Sequence, residues 1–271
     1  MNIQGVDILI EGKGPETLLM LHGWPDTLAL WNDTVNSLKE SHQCVRFTLP
    51  AFDSKAPLPP KSLPDMVAFI HEVLEQVSPD KPVTLVLHDW GCVFGYEYAA
   101  KHPERVKRMV AVDVGDHNSH ALVSSWPAKA KWGVFSYQIW LAVAWQIARW
   151  FASPGKSVAN HMTRYMAKAL RCPSPLADMH SGMNSPYAMK WMGSLGGFDK
   201  AANVLKQLPS ARPMLYVYGR RKPFMFHSPE WLAKIAAHPG SRVEEFDTGH
   251  WVMSAKPEQF AALLQEWLAT T

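Results

Sequence analysis

Cysteine is scarce in these 271 residues: Cys44, Cys92 and Cys172 stand far apart and form no CxxC pair. That spacing excludes a disulfide framework and the common zinc-site patterns. A reducing compartment, the cytoplasm, is expected, with no metal and no cofactor. Charge of one sign is also missing. Lys and Arg number 27 against 24 Asp and Glu, net +3 with no basic run, so nucleic acid is not an expected partner. The amino-terminal stretch MNIQGVDILIEGKG has neither a basic n-region nor a long apolar core, so no signal peptide is expected. Only residues 132–152 approach membrane-spanning length, and Ser136, Gln138, Gln146 and Arg149 make them too polar. Stable membrane insertion is therefore not expected. The segment instead suits a helix over a greasy cavity. Internal repeats and low-complexity tracts are absent, and nothing fixes an oligomeric state.

What is present is an ordinary globular composition, 47% hydrophobic and 19% charged, at a length that suits one large α/β domain with an insertion. Residues 3–10, 17–21, 44–49, 84–87, 108–114, 213–218 and 242–246 read as strands. Helical patterns run over 27–39, 63–77, 93–100, 229–237 and 257–270. Alternation of the two implies a mostly parallel sheet with helices on both faces. From about 118 to 202 the strand signals vanish, and aromatic helical segments alternate with turns at Ser153-Pro154-Gly155 and Cys172-Pro173-Ser174-Pro175. This reads as a helical cap (118–202) inserted into a core domain made of 1–117 and 203–271. Several of the 12 Trp and 13 Met fall in it and could line a pocket for a small apolar organic substrate and water.

The chain is organised around Thr84 to Ala99, TLVLHDWGCVFGYEYA. A buried strand leads through His88-Asp89-Trp90-Gly91 into a helix, the layout of a nucleophile elbow with an acid at its apex. A carboxylate nucleophile forms an alkyl-enzyme ester, so the chemistry becomes attack on an sp³ carbon. The alternative is that Asp89 merely caps the helix. Upstream, Leu21-His22-Gly23-Trp24-Pro25-Asp26 bends where the Trp24 N–H can face that turn as an oxyanion donor. Downstream, Thr248-Gly249-His250-Trp251 follows the last strand.

With HGWP, HDWG and TGHW in this order, the chain resembles the Asp-nucleophile branch of the α/β-hydrolase superfamily, the epoxide hydrolases and haloalkane dehalogenases. The resemblance implies an eight-stranded α/β-hydrolase fold. It makes Asp89 the nucleophile, His250 the general base, and Trp24 and Trp90 the oxyanion or halide donors. The third triad member departs from the pattern: Gly219-Arg220-Arg221-Lys222 has a lysine where the acid should stand. Lysine cannot accept the imidazole N–H bond, and unless it points to solvent it would depress the pKa of His250. Some relatives place the acid after the sixth strand, where Asp113 matches, with Asp116 the nearby runner-up; Asp247, close to His250 in sequence, is expected to point along its own strand. Phe135-Ser136-Tyr137-Gln138 is similar to the segment carrying the first ring-opening tyrosine of epoxide hydrolases. Ser185-Pro186-Tyr187, with Trp191, is similar to the second, and Tyr165 competes. Phe135 and Trp140 are expected to line the substrate pocket. A dehalogenase would instead need a second halide donor from Trp126, Trp132, Trp140 or Trp145. Leu87, Cys92 and the placing of Asp113 favour that enzyme; HGWP and the tyrosine pair favour the epoxide hydrolase. The third alternative is a non-catalytic scaffold that binds an apolar ligand.

Overall fold

The computed structural model describes residues 1–198 and 212–271. Its strands are β1 (Asn2–Ile3), β2 (Val6–Glu11), β3 (Thr17–Leu21), β4 (Gln43–Phe47), β5 (Val83–His88), β6 (Val106–Val112), β7 (Met214–Gly219) and β8 (Arg242–Phe246). They form one sheet in the order β1-β2-β4-β3-β5-β6-β7-β8. The pairings of β2 with β1 and β4 are antiparallel and the rest parallel. Residues 3–10, expected as one strand, are a hairpin. Gln4 and Gly5 both have positive φ (51° and 85°), the backbone of a tight two-residue turn.

The central strands read as unbroken apolar runs because both faces are covered. Leu19, Leu21, Leu85, Leu87, Met109 and Ala111 point to one core, and Leu18, Met20, Val86, Val110, Val112 and Val217 to the other. The first core is covered by α2 (Leu63–Val77) and α3 (Trp90–Lys101), the second by α1 (Asn32–Leu38). Between β6 and β7 the chain leaves the sheet for α4 (His120–Ser125), α5 (Ala128–Trp150), α6 (Ala152–Ala169) and α7 (Ser185–Met192). After β7 come α8 (Pro229–Ala237), α9 (Val252–Ala255) and α10 (Pro257–Thr270), the last packing Phe260, Leu264 and Trp267 into the second core. The expected boundary at 202/203 lies outside the described residues.

Two expectations about the insertion change. Ser153-Pro154-Gly155 is not a loop but the first turn of α6, where proline costs no hydrogen bond. A Cβ on Gly155 would lie 2.5 Å from the Ile147 carbonyl, so glycine lets α5 and α6 join with a single residue between them. The second concerns 132–152. Only one face of α5, with Val134, Gln138, Leu141 and Trp145, is buried, while the opposite face carries Trp132 and Trp150 out into solvent.

Candidate active site

Strand β5 delivers the chain to Asp89 at φ 52° and ψ −120°, a strained turn from which α3 starts at once. Two glycines make the close approach possible. A Cβ on Gly91 would sit 2.2 Å from the Leu21 carbonyl, and one on Gly23 would sit 2.3 Å from Asp89 Oδ1. Asp89 does not cap its helix; its side chain makes no capping hydrogen bond. Instead Oδ1 accepts from the Trp24 N–H at 2.7 Å, and Oδ2 lies 3.5 Å from His250 Nε2.

The other ring nitrogen of His250, Nδ1, is hydrogen-bonded to Asp113 Oδ2. Asp113 is fully buried at the end of β6, also at positive φ (70°), and its Oδ1 accepts from the Gly219 N–H at 3.1 Å and from Lys222 Nζ. Lys222 therefore neither opposes His250 directly nor points to solvent. It folds inward, its side chain 6% exposed, and neutralises the far oxygen of the acid that faces His250. Asp116 is turned elsewhere, accepting from the Ser228 N–H and hydroxyl at 2.8 and 2.7 Å and so fixing the start of α8. Asp247 pairs with Arg220 at 2.9 Å and with Arg221 on the surface.

Burial works against every charge in this chain of groups, and the pairings overcome it. Asp89 stays below the usual carboxylate range because His250, His88 and the Trp24 N–H outweigh its desolvation. Asp113 does so because Lys222 and His250 flank it. His250, desolvated but held between two carboxylates, is raised to about 9. Its neighbour His88, 4.5 Å away ring to ring, is pushed down to about 3 by burial and by the His250 charge, and stays neutral.

Several residues without an expected role frame the site. His22 of HGWP accepts from the Leu49 N–H at Nε2 (2.9 Å), leaving Nδ1–H to donate to the Gly23 carbonyl (3.0 Å). Burial holds it neutral, at about 4. Asp26 accepts from Trp251 Nε1 at 2.8 Å and from the Ser174 hydroxyl, tying the HGWPD loop to the turn bearing His250. The Trp24 indole donates to Asn184 Oδ1 at 2.9 Å, linking that loop to the insertion. HGWPD and TGHW carried the signal for Asp26 and Trp251, since each stands beside a motif; Asn184 had none.

The insertion brings Tyr137 and Tyr187 over the elbow, their rings 6.1 Å apart. Tyr187 meets Trp90 edge-on at 5.2 Å and Trp24 at 5.8 Å. The Tyr137 hydroxyl accepts from Gln138 Nε2 at 2.9 Å, and Gln138 Oε1 accepts from Trp191 Nε1 at 2.8 Å. Among the described residues the Tyr137 hydroxyl donates to no partner. Burial raises both phenols, and the Asp89 charge adds to this, so both stay protonated. The competitor Tyr165 is exposed on α6. Phe135 and Trp140, expected to line the pocket, are not brought to this cluster. Phe135 packs against Trp132 and Trp191, and Trp140 donates to the Met162 carbonyl and meets Tyr165, both on the outer side of α5. Two residues of helix turn Phe135 about 200° away from Tyr137, while Trp140, only about 60° away, is held outward by its hydrogen bond to the Met162 carbonyl on α6.

A family model described as the alpha/beta hydrolase fold matches residues 16–257. The chain belongs to the α/β-hydrolase fold family. Within that family it is similar to two curated enzymes named cis-3-alkyl-4-alkyloxetan-2-one decarboxylase. The one from Xanthomonas campestris is 26% identical over 97% of this chain and 93% of its own. The one from Shewanella oneidensis is 24% identical over 96% and 84%. Among solved structures, an epoxide hydrolase from Bacillus megaterium in complex with an inhibitor superposes with TM-score 0.67, at 20% identity and over 99% of both chains. At that identity the α/β-hydrolase likeness is one of fold.

Proposed function

We propose that this α/β hydrolase opens epoxides to vicinal diols. The observation that carries the reading is the junction of a desolvated, ionised Asp89 carboxylate, a His250–Asp113 pair behind it and two protonated tyrosines above it. Asp89 attacks an epoxide carbon; the C–O bond breaks, and the alkoxide takes its proton from the Tyr137–Tyr187 pair. The product is a hydroxyalkyl ester on Asp89. His250 Nε2 then accepts a proton from water, and the hydroxide adds to the ester carbonyl carbon. The Trp24 and Trp90 N–H groups hold the resulting oxyanion; as it collapses, the leaving alkoxide takes the proton from His250, the Asp89 acid so formed returns its proton to the tyrosinate, and the diol leaves. Asp113 stabilises the imidazolium in between. Residues 118–202 act as the cap that supplies the tyrosines, over a core of 1–117 and 203–271.

The dehalogenase reading has less support. It needs a second halide donor, and of the four candidates Trp126 and Trp140 spend their indole N–H groups on the Met225 and Met162 carbonyls and Trp132 faces solvent, which leaves Trp145, buried in α5 beside the Arg149 guanidinium. A second reading rests on the two nearly full-length relatives. Asp89 would attack C4 of another strained oxygen ring, an oxetan-2-one, breaking the C4–O bond, and loss of CO2 from the freed carboxylate would expel Asp89 and leave an alkene. One experiment separates these readings: incubation with styrene oxide, with 1-bromobutane and with a cis-3,4-dialkyloxetan-2-one, measuring diol, bromide, and CO2 with alkene. Diol formation alone is expected. Alkene formation without diol would assign the second reading, and no product from any of the three would leave only a binding scaffold.

A further inference from the structure

The chain's charge is distributed unevenly. Residues 118–198 hold eight Lys and Arg and a single acid, Asp178, a net +7 in a chain of net +3, leaving the remainder at −4. Among the described residues none of those eight cations forms an ion pair, whereas Arg46, Arg105, Arg108, Arg220 and Arg242 of the core all do. The same segment also keeps apolar surface in water. Twelve of the fifteen exposed large hydrophobic side chains among the described residues belong to it.

These features share one face. Along α5, Trp132, Phe135, Val143 and Trp150 form a stripe opposite the buried one, with Trp132 69% and Trp150 71% exposed. Phe151, then Val158 and Tyr165 on α6, extend it, and Trp191 on α7 abuts Phe135 at 5.2 Å. Exposed basic side chains flank the stripe: Lys129, Lys131 and Arg149 are neighbours in sequence of Trp132 and Trp150 on α5, and Lys168 stands three residues after Tyr165 on α6. Isolated exposed hydrophobics need no explanation, but a contiguous apolar patch marks an interaction site.

We propose that the outer face of α5 and α6 docks reversibly on an anionic lipid surface. Tryptophan, with its apolar body and polar N–H, suits the headgroup boundary, and interleaved Lys and Arg draw such helices to anionic lipid. No described helix is long and apolar enough to cross a membrane, so the two lie in the plane of the interface. A second copy docked face to face would set Lys129, Lys131, Arg149 and Lys168 against cations of the same sign. A nucleic acid would meet the cations yet leave Val143, Val158 and Trp150 in water. The face presented is the reverse of the one bearing Tyr137, so docking would seat the site beside a reservoir of apolar molecules. The proposal holds whichever strained ring the site opens.

The test is flotation of the full chain with vesicles of equimolar phosphatidylglycerol and phosphatidylcholine, and with phosphatidylcholine alone, at low and high salt. Binding to the anionic vesicles is expected, at least about tenfold weaker on the neutral ones and weakened by salt. Trp132→Ser with Trp150→Ser should abolish flotation while leaving the thermal melt unchanged. Lys129→Glu with Lys131→Glu should weaken it independently, should the tryptophan variant not fold. A full chain that stays in the soluble fraction with anionic vesicles would overturn the proposal. So would a dimer in light scattering that Trp150→Ser dissociates, or retention on duplex DNA without flotation.

Discussion

At the scale of single residues, the site turns on one electrostatic cycle. His250 holds its proton up to about 9 because Asp89 and Asp113 both stand beside it, and a protonated imidazole cannot act as a base. In the proposed reaction, esterification of Asp89 would remove one of those anions, and the imidazole would then lose its proton more readily. Asp89→Asn imitates that neutral state and should lower the His250 pKa, read directly by NMR titration of the ring. An unchanged titration would mean Asp89 does not act on it. The sign for stability follows: since the folded pKa lies above the ordinary 6.5, this histidine's contribution is complete below that value and lost as pH rises through about 9. Urea midpoints on either side of that window check it.

Asp113 and Lys222 supply a second residue-scale prediction. Asp113→Asn removes the partner of a buried ammonium, and breaking such a pair costs about 3–5 kcal/mol, measurable by urea denaturation. Adding Lys222→Met should restore most of the stability without restoring ester hydrolysis. Lys222→Met alone should raise the His250 pKa, because Asp113 then acts on the imidazole undiluted. Lys222→Asp would face Asp113 with a like charge and destabilise the fold. Equal stability of Asp113→Asn and the double variant would show that the pair contributes nothing.

At the scale of elements, strand and turn chemistry was largely readable from residue order alone. The bounds of β3, α2, α8, β8 and α10 coincide with their apolar periodicity. HGWP, HDWG and TGHW sit where strands end. The face of α5 was not readable, because it is apolar on both sides: a pattern that buries Val134 and Leu141 and also exposes Trp132 and Val143 has no single hydrophobic phase. That is why Phe135 and Trp140 were expected inside. The inward turn of Lys222 was also hidden, since it depends on a carboxylate 109 residues away. Two predictions belong at this scale. Gly23→Ala should abolish activity, because its Cβ would fall 2.3 Å from Asp89 Oδ1; wild-type turnover would contradict the loop packing. Tyr137→Phe and Tyr187→Phe should each slow ester formation by roughly 10²-fold, as loss of one oxyanion donor does, with little effect on ester hydrolysis. Full epoxide turnover by the double variant in stopped-flow kinetics would remove the tyrosines from the mechanism.

At the scale of the whole molecule, the sheet brings Asp89, Asp113 and His250 together from the ends of β5, β6 and β8, while the insertion places Tyr137 and Tyr187 above them. The proposed nucleophile thus belongs to the core and the proposed proton donors to the inserted helices. The account stands on Asp89 bonding covalently to the substrate, and a single turnover of styrene oxide in ¹⁸O-water, starting from unlabelled enzyme, tests this most directly. Water attacking the ester carbonyl should leave the label in the Asp89 carboxylate, found by mass spectrometry of its peptide, and the diol unlabelled. Label entirely in the diol, with none in Asp89, would mean that water attacks the epoxide itself and that Asp89 is no nucleophile.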